Sequence, residues 1–524
     1  MTLLCMIGRA AMSCLALLLL CVSPATAEQP RMTPDAAYRE LARTGFLANV
    51  IVDGDIDVAR LEAPVGRNRI ELRSVQLHGT LTLQGDGPAL ALSIDSSTLR
   101  GLDLSAARLR ASFELENSEV LGLAHFDATR FEGPFSLHAS WFLGSATFRS
   151  ARFDGPVEIA FATFPVPPGT TGAVSFEGAQ FAAPARFDHS RFDGGVHFDA
   201  ARFTADASFL GLVAAGDSSW RNVLFARDAE FRFCSLGDAY FGDPEHMSVF
   251  AGLADFRGCT LRSARFDYVD WRGDAMLVNV RVAGDLSLCE AALRGDRSDF
   301  SGLKVDGRLV LVGAHITSLH FRWPEIAAPL LRAEPPSDVL RPLQSRLEAL
   351  KQDDDAREAF AVLAEQQVRE ELARPDLDLL EKARLWLERV VWGWPTGYGT
   401  RLGRIAVLSL AAWLLLSLPL LMSRQLRVAT LVGPLDTAPP RHCPVPGQFG
   451  TPVSAGRLRR LAYCFGLMFA TPGFRLRPSA GVSQHMLTYL LALRGVGGLL
   501  LALLALTLAK VSPIIQAILG RLVG

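Results

Sequence analysis

The segment Phe187-Asp188-His189-Ser190-Arg191-Phe192-Asp193-Gly194 decides the fold, because its two phenylalanines lie five residues apart and this spacing continues in both directions. Steps of five or six residues separate large apolar residues from Ile94 to Ile316, with interruptions at residues 165–171 and near Pro244. An amphipathic helix needs steps of three and four residues, which this ladder lacks. We therefore predict a series of short extended segments.

A small residue precedes most of these large residues by two positions. Examples are Ala124, Thr129, Ser140, Ala146, Ala151, Ala179, Ala185, Ser190, Ala201 and Ala207. Residues two apart in an extended segment face the same side, so each unit points one large and one small side chain inward. Short extended segments that each turn a corner predict a solenoid of stacked coils.

The alternating five- and six-residue unit resembles that of the pentapeptide-repeat family, over about 260 residues in all. The resemblance implies a mainly β fold, a right-handed quadrilateral β-helix with about 22 residues per coil and about twelve coils. Weaker matches at Ile56 and Leu61 extend the pattern backwards. We expect an N-terminal cap at residues 28–55 and the β-helix at residues 56–320.

Charge divides the chain of 524 residues, although its net charge is only −1. Residues 51–320 contain 35 acidic and 25 basic residues, whereas residues 401–524 contain 13 basic residues and one acidic residue, Asp436. The hydrophobic fraction of 49% and mean hydropathy of +0.22 exclude a disordered chain. A basic, apolar C-terminal region on an acidic body indicates membrane contact rather than nucleic-acid binding.

The N-terminus is typical of an exported protein. Arg9 precedes an apolar run at residues 10–22 that is too short to span a membrane. The following Ala25-Thr26-Ala27 fits a signal-peptide cleavage site. We predict a signal peptide at residues 1–27, with an uncleaved anchor as the alternative, and expect the β-helix to lie outside the cytoplasm.

Two apolar stretches, Ile405 to Met422 and Met486 to Ala509, predict transmembrane helices. Between them, residues 457–470 form an apolar helix too short to span the membrane. This order is similar to the two-transmembrane pore module of potassium channels, which occurs fused to pentapeptide repeats in a group of bacterial proteins. The resemblance assigns a candidate pore loop to Thr471, Pro472, Gly473, Phe474 and Arg475.

The candidate loop departs from a potassium filter at Arg475, where the filter has its second glycine. Four such cations around a narrow axis would repel K⁺, so the sequence favours a channel-derived anchor over selective K⁺ conduction. A closer imitation of the filter, Thr396-Gly397-Tyr398-Gly399, precedes the first membrane helix and cannot line a pore. Eight arginines between the two helices predict that their connecting loop is cytoplasmic and that both ends lie outside.

No nucleotide-binding, zinc-protease or paired-cysteine motif occurs in the chain. We therefore predict no enzyme activity, no catalytic residue, no cofactor and no metal site. Export and the interleaved arginines argue against DNA mimicry, so no nucleic-acid partner is expected. Cys234 and Cys259 occupy the small inward position and are predicted to be buried free thiols in adjacent coils, with a disulfide as the alternative. Cys289 is predicted to be exposed.

Two functional hypotheses remain. In the first, a channel-like module at residues 401–524, joined by a helical linker at residues 321–400, presents the rod outside the cytoplasm and transports ions through a degenerate filter. In the second, the module is a non-conducting anchor and the rod is an envelope scaffold or protein-interaction module. Both place the chain in the inner membrane of a bacterium with the solenoid in the periplasm. The expected partners are the lipid bilayer, further copies of the chain (a tetramer for a pore) and an unidentified protein on the solenoid.

Overall fold

The computed structural model describes residues 29–61, 68–87, 89–166, 172–400, 402–422, 457–469 and 484–511. The chain has two compact units, and the boundary lies between Pro335 and Pro336. The first unit contains the β-strands and two helices. The second contains only helices among its described residues.

The strands of the first unit are short, and most contain two residues. They are β1 (Arg31–Met32), β2 (Phe46–Ala48), β3 (Ile51–Val52), β4 (Ile56–Asp57), β5 (Arg69–Arg73), β6 (Gln76–Thr82), β7 (Ala91–Asp95), β8 (Thr98–Asp103), β9 (Arg108–Leu109), β10 (Phe113–Glu116), β11 (Glu119–Val120), β12 (Ala124–His125), β13 (Arg130–Phe131), β14 (Phe135–His138), β15 (Trp141–Phe142), β16 (Ala146–Thr147), β17 (Arg152–Phe153), β18 (Val157–Ala160), β19 (Thr163–Phe164), β20 (Val174–Ser175), β21 (Gln180–Phe181), β22 (Ala185–Arg186), β23 (Arg191–Phe192), β24 (Val196–His197), β25 (Arg202–Phe203), β26 (Ala207–Ser208), β27 (Val213–Ala214), β28 (Ser218–Ser219), β29 (Leu224–Phe225), β30 (Ala229–Glu230), β31 (Ser235–Tyr240), β32 (Val249–Phe250), β33 (Ala254–Asp255), β34 (Thr260–Arg265), β35 (Asp270–Trp271), β36 (Ala275–Met276), β37 (Arg281–Val282), β38 (Leu286–Ser287), β39 (Ala292–Leu293), β40 (Lys304–Val305), β41 (Leu309–Val310) and β42 (His315–Ile316).

Strands of successive turns pair in parallel and form four columns. Column 1 includes β10, β14 and β18, and column 2 includes β11, β15 and β19. Column 3 includes β12, β16 and β20, and column 4 includes β13, β17 and β21. The unit is therefore a mainly β, parallel-strand solenoid of about twelve turns, as predicted. The handedness and the quadrilateral cross-section stay predictions.

The interior contains the residues that the sequence ladder selects. Every large residue of the ladder from Ile94 to Leu311 is buried, and so are the ten small residues that precede them by two positions. Aromatic rings of column 4 stack in successive turns, with centroids 4.5–5.1 Å apart, from Phe131 to Phe250. Ile316, in the last strand, is only half-buried.

Two insertions change the length of a turn without breaking the register. Phe131 pairs with Phe153, 22 residues later, but Phe153 pairs with Phe181, 28 residues later. The longer turn contains the insertion at residues 165–171. A second long turn pairs Phe225 with Phe250 and contains a tight bend, in which Asp243 accepts hydrogen bonds from the backbone N–H groups of Glu245 and His246.

Every second corner of the regular turns contains a residue in the left-handed conformation. These residues recur at steps of about eleven and include Ala106, Asn117, Ala128, Ala139, Ser150 and Phe161, with φ between 48° and 55°. At Ala128 the N–H of Thr129 donates to the carbonyl of Phe126 at 3.2 Å, so the left-handed residue is the third of a β-turn, as in type II turns. Most of these positions lack the glycine that such turns prefer.

One helix packs at each end of the solenoid. Helix α1 (Pro34–Thr44) buries Ala37 and Leu41 and contacts β2, and it ends at Gly45, which has φ 72°. Helix α2 (Trp323–Arg332) contacts β40 and β41, and Arg332 donates to the carbonyl oxygen of Asp306 at 2.6 Å. Such terminal elements protect the last strands of a repeat array from further pairing. The sequence showed only that the repeat stops before α2.

The second unit begins with an antiparallel helix pair. The pair consists of α3 (Ser337–Ala349) and α4 (Asp353–Leu372). Glu370 near the end of α4 accepts hydrogen bonds from the N–H and the hydroxyl of Ser337, at 2.7 and 2.6 Å. The chain turns at Lys351, with φ 57°, and three aspartates start α4, where their negative charge stabilises the N-terminus of the helix.

Seven further segments complete the helical elements of the described residues. They are the 3₁₀-helix Val58–Arg60 of the first unit, α5 (Leu379–Glu388), which continues into a π-helix (Arg389–Gly393) and the short α6 (Trp394–Thr396), α7 (Leu402–Met422), α8 (Arg457–Met468) and α9 (Gln484–Val511). The predicted short helix between the two apolar stretches is therefore α8, two residues shorter than expected.

Candidate functional site

The predicted pore loop, Thr471, Pro472, Gly473, Phe474 and Arg475, lies outside the described residues, as does the predicted signal peptide at residues 1–27. Both stay predictions. The helices that flank the loop are described, because α8 ends at Met468 and α9 begins at Gln484.

The short helix α8 packs against both longer helices. Cys464, Leu467 and Met468 of α8 form a buried cluster with Leu490 and Leu493 of α9. Two hydrogen bonds link the helices further. The indole N–H of Trp413 donates to the carbonyl of Leu461 at 3.1 Å, and the hydroxyl of Tyr489 donates to the carbonyl of Leu416. The three helices thus form one packed group.

Gly497 allows α8 and α9 to approach closely. A Cβ atom at this position would lie 1.8 Å from the carbonyl oxygen of Met468, at the C-terminal end of α8. Gly495 and Gly498 face open space instead. Gly497 is therefore the one of these three glycines that permits close helix contact within one copy of the chain.

The outer faces of α7 and α9 are largely apolar, and Arg404 and Arg494 are exposed charged residues on them. Among the described residues, one helix is long and apolar enough to cross a membrane, judged by length and composition: Thr488–Leu508, with 21 residues and a mean hydropathy of 2.1. The apolar helical stretch of α7, Gly403–Pro419, falls below that length. Exposed leucines cover both helices, among them Leu410, Leu414, Leu418, Leu491, Leu499 and Leu506.

The filter-like stretch Thr396-Gly397-Tyr398-Gly399 forms a buried turn before α7. Gly397, Tyr398 and Gly399 are three consecutive residues with positive φ, of 58°, 55° and 86°. The N–H of Gly399 donates to the hydroxyl oxygen of Thr396 at 2.9 Å. The Tyr398 ring packs across Gly393, where a Cβ atom would lie 2.7 Å from the ring. The stretch therefore has a structural role before α7, and the expectation that it lines no pore stays a prediction.

An ionic anchor holds this turn to α4. The Tyr398 hydroxyl donates to Glu365 at 2.9 Å, and the Arg389 guanidinium lies 2.6 Å from the same carboxylate. Burial raises the pKa of Glu365, but the hydrogen bonds from Tyr398 and Arg389 and the charge of Arg389 outweigh it, so the pKa lies below its usual value. Burial and the hydrogen bond to Glu365 raise the pKa of Tyr398. The tyrosine therefore stays protonated and the glutamate ionised near neutral pH.

The charges on the solenoid surface are largely paired across turns. Arg108 lies 2.6 Å from Glu132, and Arg130 lies 2.8 Å from Asp154, one turn further along. Burial raises the pKa of Asp154, but hydrogen bonds from Arg152 and Arg130 lower it more strongly. These pairs interrupt the acidic surface that the net charge of −10 over residues 51–320 had suggested.

Aspartates also clamp successive turns of columns 1 and 3. Asp188 accepts hydrogen bonds from the hydroxyl of Ser208 at 2.5 Å and from the N–H of Leu210 at 3.0 Å, both in the next turn. Asp267 binds Ser287 and the N–H of Cys289 in the same way. Sequence reasoning treated these aspartates as solvated outer residues. The recurring Asp and Ser twenty residues apart was the signal that could have revealed the clamps.

The cysteines occupy the predicted inward positions. Cys234 and Cys259 are free and buried, and they donate to the carbonyls of Phe209 and Phe231. Burial raises the pKa of Cys234 well above its ordinary value. Cys289 is half-buried rather than fully exposed, because it lies beside the clamp of Asp267. No group of three or more potential metal ligands occurs among the residues that the structure describes.

These observations define a parallel-strand β-solenoid followed by a helical unit with one apolar helix. Residues 171–212 match the family model described as Pentapeptide repeats (9 copies). No curated protein and no solved structure matches the chain. The chain thus carries pentapeptide repeats within a β-solenoid, as the spacing of its phenylalanines indicated.

Proposed function

We propose that the protein is a membrane-attached scaffold, whose helical unit holds the repeat solenoid at a bilayer. The observation that carries this proposal is α9, in which an apolar segment of 21 residues exposes leucines outside its packed face. Water would penalise such a surface, whereas acyl chains would not. The solenoid interior is filled with stacked rings, so its outward faces are the surface offered to partners.

The location follows from charge and from the N-terminal segment. Thirteen basic residues and one acidic residue in residues 401–524 favour a cytoplasmic connecting loop, and the apolar run before Ala27 favours export. We place the chain in the inner membrane of a bacterium, with the solenoid in the periplasm. Further copies of the chain and a protein bound to the solenoid are the expected partners.

Alkaline extraction of membranes tests the attachment. Carbonate at high pH releases proteins that are held on a membrane by charge, but it leaves proteins held by apolar helices. We expect the full chain to stay in the membrane pellet, and release into the supernatant would contradict the proposal. The variant Leu499→Arg/Leu506→Arg, which places two charges on exposed positions of α9, is expected to be released.

An ion pathway is the second candidate, and the packing of α8 favours it. A short helix between two longer ones, tied to one by Trp413 and fitted to the other at Gly497, has the layout of a pore helix. Flux through liposomes that contain the purified full chain tests this candidate. Arg475→Gly is expected to raise cation flux because it removes a cation from the pore axis. Absence of flux in both forms would leave the anchor function alone.

A further inference from the structure

Large apolar side chains are exposed on three consecutive turns of the solenoid. The set, named here the apolar patch, consists of Leu121, Leu123, Trp141, Leu143, Phe161 and Val166, which are 39–56% exposed. Elsewhere in the described solenoid, exposed large apolar residues are sparse, namely Phe233, Met247 and Val312. The clustering is therefore local to residues 121–166.

The patch follows the strand pairing of column 2. Each strand presents one outward residue before its buried residue and one after it. Glu119 pairs with Trp141, and Trp141 pairs with Thr163, so these residues form one row across the turns. Leu121, Leu143 and Pro165 form the parallel row after the buried residues. Phe161 lies at the corner that precedes the strand of Thr163.

Phe161 has two energetic costs at once. It is 55% exposed, and its φ of 55° is a conformation that bulky residues rarely adopt. Its ring packs on two histidine rings, those of His189 at 5.1 Å and His138 at 5.7 Å. Exposed apolar side chains that cluster in this way mark interaction surfaces.

The exposed area suits a protein interface. The six side chains together expose on the order of 500 Å², at the upper end of the largest patch on ordinary monomers. Two such faces together would bury on the order of 1,000 Å², the lower limit expected of a specific interface.

Charged residues lie at both ends of the patch. Arg100 lies two turns before the Trp141 strand, and Asp193 lies two turns after it, both in the row that follows the buried residues. Arg100 is exposed and makes no ion pair within the described part of the chain, whereas Asp193 pairs with Arg191 of its own strand at 2.6 Å and keeps 29% of its side chain exposed. When the face is reversed end over end, Arg100 of one copy lies opposite the exposed part of the Asp193 carboxylate of the other.

We propose that the apolar patch binds the patch of a second copy of this chain, with the two solenoids antiparallel and a twofold axis through the strand of Trp141. Trp141 then meets Trp141 of the second copy, and Leu121 meets Pro165. Arg100 meets Asp193 at both ends of the interface. The proposal concerns the solenoid alone and does not rest on the proposed membrane attachment.

Two parallel solenoids that meet through the same face form a less favourable interface. A twofold axis along the solenoid would place Glu119 opposite Leu121 of the second copy and leave a carboxylate without a partner in an apolar contact, which is costly. In the antiparallel arrangement Glu119 faces Thr163, whose hydroxyl can donate to it. The antiparallel pairing therefore gives Glu119 a hydrogen-bond donor that the parallel pairing lacks.

Cysteine crosslinking in the full chain tests this arrangement, in a background where Cys289 and Cys443 are replaced by serine. A residue on the twofold axis meets its own copy, so Trp141→Cys alone is expected to give a covalent dimer with a short bifunctional maleimide. Leu121→Cys alone is expected to give none, whereas Leu121→Cys mixed with Pro165→Cys gives a mixed dimer. Ala182→Cys, on the exposed face of column 4, is the control and is expected to stay monomeric.

Several results would overturn the proposal. If Trp141→Cys labels readily with a monofunctional maleimide but never crosslinks, the patch has no partner. Dimers of Leu121→Cys with itself would show a different pairing, and adducts only to another protein would show a different partner. Protection of Trp141→Cys only in lipid vesicles would show that the patch binds lipid. In support, Arg100→Asp is expected to abolish the Trp141→Cys dimer and Arg100→Asp/Asp193→Arg to restore it.

Discussion

The solenoid and the helical unit both bury apolar side chains, but they differ in what they place outside. In column 4 the buried ring of Phe131 lies between Arg130 and Glu132, which pair with charges of neighbouring turns. In α9 the residues exposed around the buried Leu493 are mostly apolar, such as Leu491 and Leu499, and Arg494 is the charged residue among them. The outward residues, not the core, therefore distinguish a surface suited to water from one suited to lipid.

The same contrast appears in how each region hydrogen-bonds its backbone. Backbone hydrogen bonds of the solenoid connect each turn to the next, and side-chain clamps such as that of Asp188 add to them. The membrane-type helices satisfy their backbone internally and use few cross-links, including those of Trp413 and Tyr489. A lipid-facing element must form its backbone hydrogen bonds within itself, whereas a solenoid strand forms them with the strands of neighbouring turns.

The largest effect is expected from the solenoid core. Phe181 is buried between the rings of Phe153 and Phe203, and Phe181→Ala should cost about 3–5 kcal/mol through the cavity that it leaves. The adjacent Gln180 points outward, so Gln180→Ala should change stability by less than about 0.5 kcal/mol. Thermal unfolding of the two variants compares them directly. Equal destabilisation would show that inward and outward positions have been exchanged.

A charge on the apolar face of α9 should have the next largest effect. Leu499→Arg places a guanidinium near the middle of the candidate span, which should cost about 2.5–3.5 kcal/mol for membrane insertion. Gln180→Arg adds the same charge to the solenoid and should leave the membrane-bound fraction unchanged. The fraction of chain in the membrane pellet measures both. An unaffected Leu499→Arg variant would mean that this face of α9 does not contact lipid.

The anchor of the juxtamembrane turn should contribute less. Glu365→Gln removes the charge that Tyr398 and Arg389 bind, and we expect a loss of about 1.5–3 kcal/mol. The pKa of Glu365 is lowered in the folded chain, so its stabilising effect is present above its unfolded-state pKa and disappears as pH falls through the folded value. Thermal unfolding in detergent should therefore separate the variant from the parent at pH 7 and bring them together in acid. A constant difference across pH would assign the effect to packing.

Two neighbouring alanines at one corner should give the smallest effects, with opposite signs. Ala200 is exposed with φ 59°, so Ala200→Gly relieves backbone strain and should be neutral or stabilising by up to about 1 kcal/mol. Ala201 is buried and has no such strain, so Ala201→Gly should destabilise by about 0.5–1 kcal/mol. Chemical denaturation of the two variants gives the comparison. Destabilisation by Ala200→Gly beyond that of Ala201→Gly would contradict the corner geometry.

The sequence predicted the solenoid at the level of single residues, because each turn repeats one large and one small inward position. Phe187 and Ser190 are both buried as expected. The left-handed corners were not predicted, since residues such as Phe161 or Tyr268 give no signal for positive φ. The aspartate clamps were not predicted for another reason, because Asp188 and Ser208 come together only when successive turns stack.

The helical unit was predicted less completely. The apolar stretches gave α7 and α9 and the short α8, but α2 and the turn at Lys351 were missed because their apolar patterns are short and contain internal prolines or polar residues. The ionic anchor joins Glu365 to Tyr398, 33 residues away, and no local spacing marks it. The pore-loop residues 471–475 stay a prediction from resemblance.

The most direct test of the central claim is cysteine accessibility in native membranes. The claim is that the exposed apolar face of α9 contacts lipid, whereas the outward polar residues of column 4 of the solenoid contact water. Leu499→Cys and Gln180→Cys in the full chain are treated with a membrane-impermeant maleimide, with both sides of the membrane made accessible. The account predicts that Gln180→Cys reacts at once and that Leu499→Cys reacts only after the membrane is dissolved in SDS. Equally fast labelling of both positions in intact membranes would contradict it.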